Sequence, residues 1–209
     1  MTWHTLYLAR HGETSWNHQK RWQGQADIAL NETGKAQALA LARSVEALGV
    51  KRLFSSQMVR AKETAEIAAR HLGIPYAGDD ARLAERSFGL FEGLTRTEVE
   101  TKYPKEWRQY QEDRRHLPPG GESFEILIAR LHAGLLDQVG QPTTLIVTHG
   151  GCMRSLWAAH DHQRYPDPSR GAANHVLKIQ PIKNCAVMRL DASERSGELH
   201  IKNVSLVVE

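Results

Sequence analysis

The run Leu6-Tyr7-Leu8-Ala9 is apolar throughout and stops abruptly at Arg10-His11-Gly12. A short apolar run bounded in this way reads as a buried strand. Thr144-Leu145-Ile146-Val147-Thr148 repeats the pattern and ends at His149-Gly150-Gly151. After the first strand, Gly24 to Leu30 reads as a loop, and Asn31-Glu32-Thr33-Gly34 opens a helical pattern. In it Ala38, Leu41, Val45 and Leu48 recur at helical spacing, with Gly49 as the stop. Arg52 to Ser56 reads as a second strand, and Met58 to Leu72 as a helix closed by Gly73. Alternating strands and helices imply a parallel sheet with crossover helices.

The middle of the chain, Arg82 to Gly121, is less regular. Thr95 to Lys102 and Lys105 to Arg115 read as short helices separated by Pro104, and Pro118-Pro119-Gly120-Gly121 as a turn or hinge. Ser123 is placed to cap a helix running towards Val139. His175 to Gln180, Ala186 to Leu190 and Leu199 to Val208 read as later strands. The expected architecture is α/β: a three-layer α/β/α sandwich with a mostly parallel central sheet. It forms one domain over residues 1–209, with a helical lid inserted at about 94–121.

Composition narrows the class. With 209 residues, 41% hydrophobic and 24% charged, the chain is that of a soluble globular protein, and its apolar runs are too short to cross a bilayer. Met1-Thr2-Trp3-His4 lacks the basic start and long apolar stretch of a signal peptide, and Cys152 and Cys185 form no CxxC pair. The expectation is a cytoplasmic protein with reduced thiols. A net charge of +3 does not argue for nucleic acid, and it suits a small anionic substrate equally well.

In an open α/β sheet, ligands bind beyond the carboxyl ends of the strands. Both His-Gly elements fall there, so an imidazole lies beside the fixed charge of Arg10. Arg60, at the start of the helix after the second strand, faces the same edge, where it can converge with Arg10 on one anion unless it lies on a solvated helix face. Glu85 precedes the aromatic, glycine-rich stretch Phe88-Gly89-Leu90-Phe91-Glu92-Gly93. Partial desolvation there would raise its pKa and suit a proton donor, whereas a salt-bridged surface position would not.

Taken in order, these residues resemble the histidine phosphatase superfamily, also called phosphoglycerate mutase-like. The resemblance rests on Arg10-His11-Gly12-Glu13-Thr14 with Asn17, Gln23-Gly24, and Leu30-Asn31 with Gly34 and Gln37-Ala38. It continues through Ser55-Ser56 with Arg60-Ala61 and Thr64-Ala65, then Glu85 with Phe88-Gly89 and Glu92-Gly93, Gly120-Gly121-Glu122-Ser123, and His149-Gly150. It implies that His11 attacks phosphorus to form a phosphohistidine, and that Glu85 protonates the leaving oxygen and then takes a proton from water. Arg10, Asn17, Arg60, Gly150 and a cationic His149 would hold the phosphoryl oxygens, the two glycine amides after His149 suiting an oxyanion. Arg21, Gln23 and Gly24 would line the substrate side, with selectivity at Arg21, Trp22 and Gln23 and at the lid from Lys102 to His116. No cofactor and no metal are expected, and the partner is a small phosphomonoester. A homodimer is left open.

Other chemistries fit less well. The sixth residue after Cys152 is Ala158, where a cysteine phosphatase needs arginine; no Asp-x-Asp follows an early strand, and no Walker loop is present. His160-Asp161-His162 is a weak metal candidate, because ligands normally converge from separated elements. The phosphatase branch is favoured over a cofactor-dependent phosphoglycerate mutase. Gly150-Gly151-Cys152 stands where mutases typically have Gly-Asn-Ser, and Gln23 where they tend to carry a small residue. The Gly120-Gly121-Glu122-Ser123 element also resembles the phosphatases, and there is no room for a long mutase-type insertion. A non-catalytic phospho-ligand binder would be expected to lack His11, Glu85 or His149. Trp107-Arg108-Gln109-Tyr110 with Arg114-Arg115-His116 faintly suggests nucleic-acid binding and is better read as a lid over an anion. The substrate stays open among sugar phosphates, phosphoglycerates, phosphoserine and α-ribazole phosphate.

Overall fold

Leu6 and Leu8 pack on one face of the first strand, Tyr7 and Ala9 on the other, so the apolar run is buried on both sides. A computed structural model describes residues 2–113, 117–160 and 181–208. Among them six strands form one sheet: β1 (His4–Arg10), β2 (Arg52–Ser56), β3 (Tyr76–Asp80), β4 (Thr144–Thr148), β5 (Val187–Arg195) and β6 (Glu198–Val208). Their spatial order is β3-β2-β4-β1-β5-β6. The first four are parallel, while β5 runs antiparallel to β1 and β6 antiparallel to β5.

Among the described residues seven helices accompany the sheet: α1 (Ser15–His18), α2 (Glu32–Val45), α3 (Val59–Leu72), α4 (Arg96–Lys102), α5 (Pro104–Glu112), α6 (Phe124–Leu136) and α7 (Gly150–His160). Helices α2 and α3 cover one face through Leu41, Ala42, Val45, Ala61, Ala65 and Ala68. Helices α6 and α7 cover the other through Leu127, Leu131, Leu135, Met153 and Leu156. This is the expected three-layer sandwich. No described helix is long and apolar enough to cross a membrane.

The caps were legible: Asn31 accepts from Gly34 N–H, and Ser123 accepts from Ile126 N–H. Other features differ from the sequence reading. Strand β3, Tyr76-Ala77-Gly78-Asp79-Asp80, was not expected, because an edge strand this polar shows no apolar pattern. The last two strands form an antiparallel hairpin, not a continuation of the parallel sheet. Its turn holds Ser196 and Gly197, both with positive φ (54° and 80°), the geometry that returns a right-twisted strand on itself. Helix α5 begins at Pro104 itself, since proline fits the first helical turn. The strand expected over 175–180 lies outside the described residues.

The segment expected as a lid carries a small core of its own. Phe91, Val99, Trp107 and Tyr110 are buried together, with Trp22, Phe88, Leu94 and Tyr103 packed against them. Trp22 meets Phe88 edge-on at 4.7 Å between ring centroids. Trp107 and Tyr110 are therefore core, and offer no open platform for bases. The ion pair of Arg21 with Glu98 on α4, at 2.6 Å, fastens this cluster to the loop after α1.

Phe91 is fully buried whereas Leu90 is 40% exposed. Phe91→Ala should cost about 3–5 kcal/mol in urea unfolding, and Leu90→Ala less than about 0.5 kcal/mol. A cost below about 1 kcal/mol for Phe91→Ala would show that the aromatic cluster is not a packed core.

Candidate active site

The parallel pairing of β1 with β4 sets Arg10 opposite Thr148, and His11 N–H donates to Thr148 O at 3.0 Å. The residues that follow, His11 and His149, are thereby neighbours, their ring centroids 5.2 Å apart. His11 is buried, and its Nδ1 lies 2.7 Å from the carbonyl oxygen of Gly12. A carbonyl only accepts, so Nδ1 carries the proton and Nε2 is left bare. Burial, then Arg60 and Arg10, hold the His11 pKa well below the ordinary histidine value. The imidazole is a neutral base with its free lone pair on Nε2.

Glycine is required beside it. Gly12 N–H donates to Thr64 Oγ1 at 3.0 Å, and a Cβ on Gly12 would collide with the backbone oxygen of Gly34. The loop after β1 is thus pressed onto the first turn of α2.

Arg60 is fully buried, which excludes the solvated-face reading. Its two terminal nitrogens donate to Ala26 O and Gly24 O at 2.7 and 2.8 Å, and Arg10 Nη1 donates to Ile182 O at 2.7 Å. These bonds fix both forks but leave each Nε buried with no hydrogen-bond partner among the described residues. His149 Nδ1 is in the same condition. The Nε2 of His149 meets Ser56 Oγ at 2.9 Å, and Ser56 Oγ accepts Met58 N–H at 3.3 Å. With the serine hydroxyl donating to Nε2, the ring proton of His149 sits on Nδ1.

The cationic His149 expected from the sequence is corrected here. Burial first, then Arg60, His11, Arg130 and Arg10, push its pKa well below the usual value, so it is a neutral N–H donor. Three buried donors without acceptors, two of them on cations, form a cradle for an anion's oxygens.

Glu85 is buried on the opposite wall. Its Oε1 accepts Arg86 N–H at 2.9 Å and its Oε2 accepts Gly151 N–H at 3.0 Å. A Cβ on Gly151 would overlap the Glu85 carboxylate. The Gly151 amide, expected as an oxyanion donor, is therefore committed to Glu85. Gly150 lines the pocket, and a Cβ there would lie 3.3 Å from Arg10 Nε. Cys152 donates to Ala84 O at 3.1 Å, and burial pushes its thiol pKa well up, so it is an inert packing group.

Sequence reasoning missed the support of Glu85. Arg130 grips Glu122 bidentately at 2.6 and 2.7 Å and donates to the carbonyls of Arg82, Ala84 and Glu85. Thr148 Oγ1 adds a bond to Leu83 O at 2.8 Å. The only hint was the Glu122 motif, which carried no assigned role.

The remaining expected residues line one cleft of about 590 Å³, together with Phe88, Arg154, Pro181 and Ile182. Asn17 Oδ1 closes a capping box with Thr14, accepting its N–H at 3.1 Å, and this leaves the amide nitrogen for a ligand. Gln23 Oε1 accepts from Thr14 Oγ1 at 3.0 Å, and Gly24 lends its carbonyl to Arg60. Arg21 sits at the rim with its donors committed to Glu98, Gly93 O and Gln19. Trp22 belongs to the aromatic cluster, and no described residue of 102–113 lines the cleft. His160 Nε2 faces His132 Nε2 at 2.8 Å, while Asp161 and His162 lie outside the described residues. Among the described residues no three or more His, Cys, Asp or Glu are grouped to hold a metal.

The two buried rings give a pH test. Labelled histidine followed by ¹⁵N NMR should show His11 and His149 neutral at pH 6.5, with His11 protonated on Nδ1 and midpoints on the acid side of that value. The same depression makes the folded state take up fewer protons than the unfolded one, so these rings contribute stability that is lost as pH falls below about 6.5. A His11 midpoint at or above 6.5 would contradict the electrostatics.

Comparison with known proteins fits this geometry. The family description that matches residues 6–204 is the histidine phosphatase superfamily (branch 1). A Salmonella newport protein named probable phosphoglycerate mutase GpmB is 34% identical over 200 residues, covering 90% of this chain and 85% of its own. Among solved structures, Bacillus stearothermophilus YhfR superposes with a TM-score of 0.77 at 32% identity, over 96% of this chain and 98% of its own. A mycobacterial glucosyl-3-phosphoglycerate phosphatase superposes with a TM-score of 0.78 at 26% identity, over 98% of both chains. With its strand-terminal histidines and a family match spanning nearly the whole sequence, the chain belongs to the histidine phosphatase superfamily, branch 1.

Proposed function

We propose that the protein hydrolyses small phosphomonoesters, without a metal, through a phosphohistidine on His11. The observation that carries this is the unprotonated Nε2 of a neutral His11 beside three buried donors that have no acceptor. In the first step the Nε2 lone pair attacks phosphorus, the P–O bond to the alcohol breaks, and Glu85 gives its proton to the leaving oxygen. In the second, water attacks the phosphohistidine, the P–N bond breaks, and Glu85 takes the water proton. Arg10, Arg60, His149 Nδ1–H and the Asn17 amide hold the phosphoryl oxygens. Fixed donors of this kind stabilise transition-state charge by about 3 kcal/mol each, and the two guanidiniums supply the charge a metal otherwise would.

Substrates of this class include phosphoglycerates, phosphoserine, sugar phosphates and α-ribazole phosphate. Hydrolysis is supported by the neighbouring glucosyl-3-phosphoglycerate phosphatase. It is also supported by Gly151, which carries no side chain and offers its amide to Glu85 where mutases typically place asparagine. The second reading is phosphoryl transfer back to a glycerate, favoured by the name of the Salmonella relative. Both cysteines are free thiols, in keeping with a reducing cytoplasm.

Rapid acid or alkaline quench with ³²P-labelled substrate tests the nucleophile. The label should be acid-labile and base-stable on the His11 peptide, absent in His11→Ala, and formed in saturating EDTA. Inorganic phosphate should appear from 3-phosphoglycerate without added bisphosphoglycerate. Interconversion of 2- and 3-phosphoglycerate faster than phosphate release would select the mutase reading.

Gly151→Ala tests the acid. The added methyl displaces the Glu85 carboxylate, and a shift near 1 Å costs about 100-fold in rate. Turnover of alkyl phosphates should fall by about that factor, with a smaller loss for aryl phosphates, whose leaving oxygen needs little protonation. Equal losses on both would make Glu85 a structural residue.

A further inference from the structure

The stretch from Ile182 to Ala186 clasps Arg10 and His11. Arg10 N–H donates to Ala186 O at 3.1 Å, and Cys185 N–H donates to Arg10 O at 3.0 Å. Arg10 Nη1 donates to Ile182 O at 2.7 Å, and Asn184 Nδ2 donates to His11 O at 2.8 Å. Cys185 is held at φ 61°, a conformation that a residue with a side chain keeps only where its surroundings over-determine it. Asn184 takes no part in the reaction derived above.

Its bond falls on a peptide whose direction decides which nitrogen of His11 is free. The planar unit joining His11 to Gly12 presents its carbonyl and its N–H on opposite sides. Asn184 holds the carbonyl, and Thr64 Oγ1 accepts the N–H at 3.0 Å. Thr64 donates its own proton to Arg60 O at 2.7 Å, so a lone pair is what faces Gly12. The next unit carries the Gly12 carbonyl that accepts from His11 Nδ1, and its N–H, on Glu13, donates to Gln37 Oε1 at 2.8 Å. Gly12 lies between the two units with no side chain to restrict its rotation, so they keep their directions through these partners.

From this clasp we infer that Asn184 is a positioning residue for the nucleophile: by fixing the peptide between His11 and Gly12 it keeps the Gly12 carbonyl on Nδ1 and leaves Nε2 bare. The kinetic consequence rests on the phosphohistidine reading. Without the Asn184 amide, that peptide keeps only its bond to Thr64 among the described residues. The Gly12 carbonyl stays in place as an acceptor but turns away, and the ring proton passes to Nε2, where it blocks attack on phosphorus. The phosphoryl donors Arg10 Nε, Arg60 Nε and His149 Nδ1 are untouched. Attack should suffer, and phosphate binding should not.

Asn184→Ala tests this. Phosphohistidine formation in rapid quench should slow by about tenfold, the worth of one hydrogen bond, with the Kd of inorganic phosphate unchanged. In ¹⁵N spectra His11 should change from a single Nδ1–H form to a mixture of tautomers, while His149 keeps its wild-type signals. Asn184→Leu fills the same space without a donor. It should behave as Asn184→Ala does, and it carries the test if Asn184→Ala folds poorly. A wild-type tautomer and labelling rate in the folded Asn184→Leu protein would make Asn184 a filler of space and overturn the inference. So would a loss of phosphate binding as large as the loss in rate, the mark of a general disturbance of the pocket. The tautomer is read in the resting protein. A wild-type protein that shows the Nδ1–H form yet never labels His11 would therefore overturn the phosphohistidine reading and not the clasp.

Discussion

The site depends on the burial of two guanidinium groups beside two imidazoles. Taking Arg10 and Arg60 out of water is costly; Glu85 offsets part of that cost by its charge, but neither arginine hydrogen-bonds a carboxylate among the described residues. The chain answers with carbonyl oxygens: Ala26 and Gly24 on one fork, Ile182 on the other. Partial negative charges fix direction without neutralising the cation. The full charge stays available to an anion, and it adds to burial, the larger cause, in keeping both histidines from taking up a proton.

That constraint explains much of the surrounding architecture. The segment around Gly24 must bend over α3 to present its carbonyls, and the stretch around Ile182 must pass beside the end of β1. Parallel pairing of β1 and β4 supplies the other requirement, because it brings His11 and His149, far apart in sequence, to the same edge of the sheet. The wall that carries Glu85 is held separately, by Arg130, Glu122 and Thr148.

What the sequence revealed follows the same division. Strand-terminal histidines, helix caps and the two-sided burial of β1 are local patterns, and all were legible. Strand β3 was hidden because its register is set by its neighbour β2, while its own side chains are polar. The hairpin of β5 and β6 depends on backbone angles at Ser196 and Gly197 that composition only hints at. Trp107 and Tyr110 read as part of a lid over an anion because the partners that bury them, Trp22 and Phe91, lie elsewhere in the chain. The neutrality of His149 was equally out of reach, since it depends on burial and on four neighbouring groups brought together only by folding.

The bond from His11 Nδ1 to the Gly12 carbonyl has a consequence for variation. Many positioned histidines take their tautomer from a side chain, which a single substitution can delete. Here the orienting acceptor is the peptide bond of the adjoining residue, and every amino acid has one. The side chains around the cleft are free to drift and retune what the pocket accepts, while the proton address of its nitrogen is inherited with the backbone.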